Sequence, residues 1–196
     1  TALTGLYSSS DIGNFVHRSA VDAKMRIDAI QDFVRLIESG GYAARMEKIA
    51  SSHDVVISDH FFHKISGLLG VQEKQELRTL QNVFFADDRP AIYSQVFLSE
   101  RIILENPDLA VKNTLFEFLD AFCNQTIEQT LIYFRPVAAG EREASVLDIE
   151  RDTPLIVWEE YYYNLFDEAI CAAMTYFHPE YMHLCMLRKA LSGTET

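Results

Sequence analysis

The chain has 196 residues, about the length of one large domain, and its 48% hydrophobic and 23% charged residues are typical of a globular protein. Its formal net charge is −12, and the sequence has no cluster of the lysines and arginines that a surface needs to displace counterions from duplex DNA. No apolar run approaches the roughly 20 residues that span a bilayer, and its three cysteines, odd in number, predict reduced thiols of a cytoplasmic protein.

The first 19 residues are mostly small and polar, with turn residues at Gly13 and Asn14. The chain begins with Thr1 instead of methionine, so we expect it to be a fragment of a longer polypeptide. A domain boundary is therefore expected near residue 19, followed by one domain over residues 20–196.

Two helices are predicted in the first third of that domain. Apolar residues at helical spacing indicate a helix over residues 25–37, ended by Gly40 and Gly41. The second begins after Ser58, a favourable N-cap residue, and ends at Gly70.

Beyond Gly70, β-branched and aromatic residues predict two β-hairpins, each with turn residues between its strands. Between the hairpins the apolar spacing indicates a helix, a long strand and a further helix after Gly140. The predicted strands are residues 76–85, 90–98, 126–137, 154–163, 169–177 and a last one at 181–188, and the middle helix is residues 114–123.

The order helix, connector, strand, turn, strand occurs twice, over residues 58–99 and 141–177. A shift of about 78 positions aligns Leu69 with Leu147 and Phe85 with Tyr163. Two copies are too few for a solenoid, so the repeat predicts one antiparallel sheet with a pseudo-two-fold axis. Helices would cover that sheet, giving an α+β domain.

Several motifs resemble the UTRA domain, the chorismate-lyase-like ligand-binding module of one subfamily of GntR transcriptional regulators. They follow the family's order over nearly the whole chain. The similar segments are residues 12–16 (the tip of a winged-helix wing), 25–42 (the opening helix and its glycine stop), 65–71 (the connector before the first hairpin), 86–90 (the Ala-Asp-Gly-x-Pro turn), and 153–156 with 163–177 (the second hairpin).

The resemblance implies that the chain binds a small metabolite and forms a homodimer, while a winged-helix domain of the same regulator binds operator DNA. Residues 1–19 would then be the remnant of the wing and its linker, and residues 20–196 the ligand-binding and dimerisation domain. The protein would be a cytoplasmic regulator, with no enzymatic activity and no cofactor. The strand at residues 126–137 is the candidate dimer edge.

The family's ligand-binding positions are altered in this chain. Many members hold a phosphorylated sugar with an Arg-x-Arg pair, whose guanidinium groups suit phosphate oxygens, but the matching residues here are Asn82 and Phe84. Further family positions are occupied by Ser94, Thr114, Phe116 and Cys171. Every exchange removes charge or polarity, so we expect an apolar or aromatic ligand and not a phosphosugar. The candidate ligand-binding residues are Asn82, Phe84, Ser94, Thr114, Phe116, Glu160, Tyr162, Cys171, Ala173 and Phe177.

Alternatives stay open at this point. The aromatic candidates also suit core packing, and Glu160 fits either a buried position with a partner or the solvent face of its strand. A ligand-free dimerising or protein-interaction module is an alternative function. So is a chorismate-lyase-like enzyme, although Arg78 and Arg89 do not match the positions expected for binding substrate carboxylates. His60 and His63 lie at i and i+3, but no further metal ligand follows by spacing, so no metal site is predicted.

Overall fold

The computed structural model describes residues 7–10, 13–16, 23–52, 57–104 and 114–188. Within these ranges the α-helices are α1 (Phe33–Ser39), α2 (Asp59–Leu69), α3 (Leu115–Cys123) and α4 (Glu141–Leu147). The strands are β1 (Tyr7–Ser10), β2 (Gly13–Val16), β3 (Ala44–Ser52), β4 (Leu77–Ala86), β5 (Arg89–Ser99), β6 (Gln129–Ala138), β7 (Pro154–Tyr163) and β8 (Ala169–Phe177).

One antiparallel sheet organises the domain, with the strand order β3-β4-β5-β8-β7-β6. The segment β3-α2-β4-β5 and the segment β6-α4-β7-β8 contribute strands in mirrored order, and they meet where β5 pairs with β8. This arrangement confirms the predicted α+β class and the duplicated helix-hairpin unit. Each repeat also includes a strand ahead of its helix, which the sequence repeat did not contain.

The helices cover opposite faces of the sheet. Phe61 and Ile65 of α2 pack on Phe97 and Tyr161, and Leu147 of α4 packs in a cluster on the same face. Helices α1 and α3 pack on the strand residues that point the opposite way, since successive side chains of a strand alternate between the two faces. They therefore cover the other face. We call these the α2/α4 face and the α1/α3 face.

The ends of α2 and α3 follow from local capping chemistry. The Ser58 side chain accepts a hydrogen bond from the Phe61 amide at 3.2 Å, and Gly70 ends α2 in the left-handed conformation at φ 64°. Thr114 and Glu117 form a reciprocal capping box at the start of α3. Both predicted helices are confirmed, and so are both hairpins.

Two predictions near the chain ends are wrong. The helix predicted from residue 25 begins at Phe33, because Asp32 caps the Arg35 amide at 3.0 Å. Residues 181–188 form no strand of the sheet. Instead Cys185 pairs with Arg26 in an isolated bridge, with the Ile27 amide donating to the Cys185 carbonyl at 2.9 Å.

Strand β3 was not predicted. It is an edge strand on which exposed residues, among them Arg45 and Glu47, alternate with half-buried ones such as Met46. Its mixed, polar composition lacks the β-branched and aromatic enrichment that indicates a strand.

The N-terminal strands β1 and β2 pair with each other and form a separate two-stranded sheet. Of the predicted wing and linker at residues 1–19, residues 1–6, 11–12 and 17–19 lie outside the described residues. None of the described helices is long and apolar enough to cross a membrane.

Candidate ligand-binding site

A cavity of about 420 Å³ lies on the α1/α3 face. Its walls come from strands β4 to β7, from the N-terminal end of α3, and from residues 26–32, which precede α1. We call this last stretch the 26–32 segment. The cavity volume lies within the range of small-molecule sites, roughly 300 to 1,000 Å³.

Seven of the ten candidate residues meet at this cavity. They are Asn82, Phe84, Ser94, Thr114, Phe116, Glu160 and Tyr162. They come from four separate elements, and the register of β4 on β5 brings Asn82 opposite Ser94. That they bind a ligand stays a prediction, but the geometry gives them one shared space.

The other three candidates do not line the cavity. Cys171 and Ala173 of the central strand β8 are fully buried in a cluster with Tyr162 and with Phe118 of α3. Phe177 packs on Trp158, with ring centroids 4.6 Å apart. All three therefore lie in the core behind the cavity wall.

Aromatic rings form much of the apolar wall. Phe33 lies 5.3 Å from Phe84 and 6.1 Å from Trp158, measured between ring centroids, and Phe134 lies 5.4 Å from Trp158 in an edge-to-face arrangement. Such packed pairs hold their rings in fixed orientations. The wall is therefore a preformed apolar surface.

A carboxyl group lies within this wall. The Glu160 side chain is 6% exposed, and its Oε2 accepts a hydrogen bond from the Tyr162 hydroxyl at 2.7 Å. Burial raises the pKa of Glu160, while hydrogen bonds from Tyr162 and Thr130 partly oppose that rise. Burial also raises the pKa of Tyr162 well above its usual value, so its hydroxyl keeps the proton it donates.

Two polar atoms of the cavity residues have no hydrogen-bond partner among the described residues. They are the Asn82 Oδ1 acceptor and the Trp158 Nε1 donor, on side chains that are 5% and 4% exposed. The Ser94 hydroxyl, in contrast, shares a 3.1 Å hydrogen bond with Thr175. Buried polar groups are nearly always paired, so the two unpaired atoms are suited to hydrogen bonds with a bound molecule.

The charges around the cavity are mostly negative. Asp28, Asp32, Glu128 and Glu160 line it, and Arg26 is the one basic residue among the described lining residues. The Arg26 Nε donates to Asp28 Oδ1 at 2.9 Å, so its charge is already paired. The two arginines of the first hairpin, Arg78 and Arg89, do not line this cavity. Arg78 pairs with Glu100, and Arg89 lies near Asp148.

Sequence reasoning missed the 26–32 segment and the contribution of β6. The segment was assigned to a helix, and nothing local reveals that it lies across a distant sheet. The β6 residues Thr130, Ile132 and Phe134 pair with Tyr162, Glu160 and Trp158 of β7 and share their face. Alternation along β6 was the available signal, once its pairing with β7 was known.

The structure supplies no metal centre in the part of the chain it describes, where no group of three or more His, Cys, Asp and Glu side chains comes together. His60 and His63 lie exposed on α2, on the sheet face opposite the cavity.

One comparison with known proteins shows a family for this chain. A model of the UTRA domain matches residues 62–183, more than half of the chain. No curated protein matches significantly.

Solved structures give the same fold at low sequence identity. The effector domain of PhnF from Mycobacterium smegmatis is 18% identical, with a TM-score of 0.69 over 84% of this chain and 99% of that domain. The longer PhnF structure is also 18% identical, with a TM-score of 0.69 over 95% of this chain and 79% of PhnF. A GntR-family regulator from Enterococcus faecalis V583 is 15% identical, with a TM-score of 0.60 over 74% of this chain and 100% of that one.

Proposed function

Because this chain belongs to the UTRA domain family, we propose that it is the small-molecule-sensing domain of a GntR-type transcriptional regulator. Binding of an effector in the cavity on the α1/α3 face would change the affinity of an attached winged-helix domain for its operator. Such coupling requires that the effector bind two arrangements of the regulator with different affinity. The cytoplasm, where the operator lies, would be its site of action.

The observation that carries this proposal is the cavity itself. Residues expected to bind ligand come from four distant parts of the chain, and they line one apolar space that contains unpaired hydrogen-bonding atoms. Asn82 and Phe84 stand where a phosphate-binding arginine pair was expected, and the lining carries more acids than bases. These features favour an apolar or aromatic effector over a sugar phosphate.

Two observations support an attached DNA-binding half. The paired strands β1 and β2 form a sheet of their own ahead of the domain, as expected for the end of a wing. The matched share of this chain rises from 84% against the PhnF effector domain to 95% against the longer PhnF structure. The acidity of the chain supports DNA contact by that other half and not by this domain.

The edge strand β6 supports homodimer formation. It ends the sheet, and its Leu131 and Tyr133 side chains are about half exposed, next to the exposed Leu68 of α2. An edge strand with apolar side chains is a ready site for pairing with a second copy.

An enzymatic role is less well supported. A lyase acting on chorismate would need cations for the substrate carboxylates, and the one arginine of the described lining is paired with Asp28. Cys171 is no nucleophile candidate, because burial raises the pKa of its thiol well above the usual range.

A thermal-shift screen of metabolite classes tests the sensor proposal. An effector raises the melting temperature by mass action, and we expect a rise with apolar or aromatic compounds and none with sugar phosphates. Phe116→Ala should remove the rise, since Phe116 lines the cavity. Phe122→Ala on the same helix should keep it, because Phe122 packs in the α3 core cluster instead. A melting temperature unchanged by every class would favour a ligand-free interaction module.

A further inference from the structure

Two consecutive glutamates of β7 lie in opposite electrostatic surroundings. Glu159 faces the α2/α4 side, where it forms ion pairs with Arg135 and with Lys64, the latter at 2.9 Å. Glu160 faces the cavity and accepts hydrogen bonds from the neutral hydroxyls of Tyr162 and Thr130. No described basic side chain pairs with it.

A buried carboxyl group without a cation is costly, because the ionised form loses its hydration and gains no countercharge. Such a group either takes up a proton, lies beside a cation, or occupies a position that a bound ligand completes. Glu160 has hydrogen-bond donors but no cation beside it among the described residues, and it lines an open cavity. The missing countercharge is therefore best supplied by whatever occupies that space.

We propose that the effector carries a protonated amine that binds Glu160, joined to an apolar body that packs on the aromatic wall. This inference rests on the proposed sensor function and specifies its ligand class. The amine also suits the rest of the site, because Asn82 Oδ1 accepts no hydrogen bond from any described residue and can accept one from a second N–H. The Trp158 Nε1 donor then binds an acceptor elsewhere on the effector.

The wall and the rim favour a cation independently of Glu160. Trp158, Phe84 and Phe33 line the cavity, and the faces of aromatic rings attract ammonium groups. Asp32 and Glu128 add negative charge to the lining, which concentrates cations and repels phosphate or carboxylate ligands.

Matched probes that differ in charge test this inference by titration calorimetry of the full chain. Phenethylamine and tryptamine are the cationic probes, 2-phenylethanol and tryptophol their neutral counterparts, and 3-phenylpropanoate and indole-3-propionate the anionic ones. We expect each amine to bind about tenfold or more tightly than its neutral and anionic counterparts, as a charged hydrogen bond in a buried site requires.

Tighter binding of a neutral or anionic probe would overturn the amine inference and leave the sensor proposal standing. Failure of all six probes to bind would also overturn it. The sensor proposal is judged separately, by the screen of metabolite classes.

Variants of the two glutamates give the decisive control. Glu160→Gln keeps the size and the acceptor oxygen but removes the charge, so it should weaken amine binding about 10- to 100-fold and leave the neutral probes unaffected. Glu159→Gln lies on the opposite face and should keep amine binding. Retention of full amine affinity by Glu160→Gln would contradict the inference.

A second variant guards against loss of folding. Asn82→Leu is close in volume and removes an unpaired acceptor, so it should fold and still lower amine affinity severalfold. Unchanged amine affinity in Asn82→Leu would remove the second contact from the proposal.

Discussion

Two residues of the cavity combine burial with unmet polar capacity, a combination that the buried Thr79 also shows outside the cavity. Asn82 and Trp158 each bury a polar atom without a partner among the described residues, while the Tyr93 hydroxyl, equally buried, is bonded to Gln81 at 2.8 Å. An unpaired buried group lowers stability by roughly 1 to 3 kcal/mol. Its presence at the cavity is explained if a ligand completes the bonding.

The pH dependence of stability should differ between Glu160 and its neutral replacement. Burial raises the folded-state pKa of Glu160 above its ordinary value of 4.5, so the fold disfavours the ionised form. That cost is present above the raised pKa and disappears as the pH falls towards 4.5. Without ligand, Glu160→Gln should melt higher than the wild type at pH 8, and the difference should shrink on acidification.

Melting temperatures of the wild type and of Glu160→Gln, measured from pH 8 down towards pH 4.5, check this expectation. Glu159→Gln is the control, and it should melt lower than the wild type at pH 8 because Lys64 and Arg135 lose their buried partner. A Glu160→Gln protein less stable than the wild type at pH 8 would show that the carboxylate has a stabilising partner.

At the scale of elements, short segments link the cavity to the rest of the domain. At the start of α3, the cap residue Thr114 and Phe116 line the cavity. Further along the helix, Phe118 and Leu119 pack in the core. Every residue of the 26–32 segment lines the cavity, and the segment connects directly to α1.

Capping variants separate the two helices that share this chemistry. Thr114→Ala removes the α3 cap, and Ser58→Ala removes the α2 cap, so each should lower the free energy of unfolding by about 1 kcal/mol. Only the α3 variant should also weaken effector binding, because Thr114 lines the cavity and Ser58 lies ahead of the helix on the other face. Denaturant unfolding and calorimetry measure the two effects, and equal loss of binding in both variants would contradict the assignment.

For the whole molecule, the mirrored order of the two repeats leaves β3 and β6 as the free edges of one sheet. β3 presents the charged residues Arg45 and Glu47 beside one exposed apolar residue, Ile49, whereas β6 presents Leu131, Tyr133 and Phe134. Charge on an edge discourages strand pairing and apolar side chains favour it. The two edges are thus unequal, and the expected dimer would form at β6.

Light scattering tests this assembly at micromolar concentration. The wild type should have the mass of a dimer, and Leu131→Lys should shift it towards a monomer, because a charge would be buried in the proposed interface. Ile49→Lys is the matched control, since Ile49 is 43% exposed on β3, the opposite edge of the sheet. A monomeric wild type would remove the homodimer from the proposal.

The sequence by itself determined the features that depend on neighbours a few residues apart. Ser58, Gly70 and Thr114 set helix ends through contacts within one turn, and both hairpins follow from strand composition and turn residues. The duplication, and with it the α+β class, was equally visible in the order of elements. Seven of the ten candidate residues, most of them supplied by the family resemblance, line one cavity. Five of the seven lie on strands, where alternation fixes which side chains share a face.

Only the tertiary structure decided the features that depend on distant pairing. The path of residues 25–32 is fixed by backbone bonds to Cys185, and β3 is a strand because β4 offers it an edge. Cys171, Ala173 and Phe177 share the cavity's face but are covered by larger neighbours, which no local pattern reports. The surroundings of Glu160 were also decided by the tertiary structure. No cation lies beside it among the described residues, and this depends on every element that packs around it and not on the strand it belongs to.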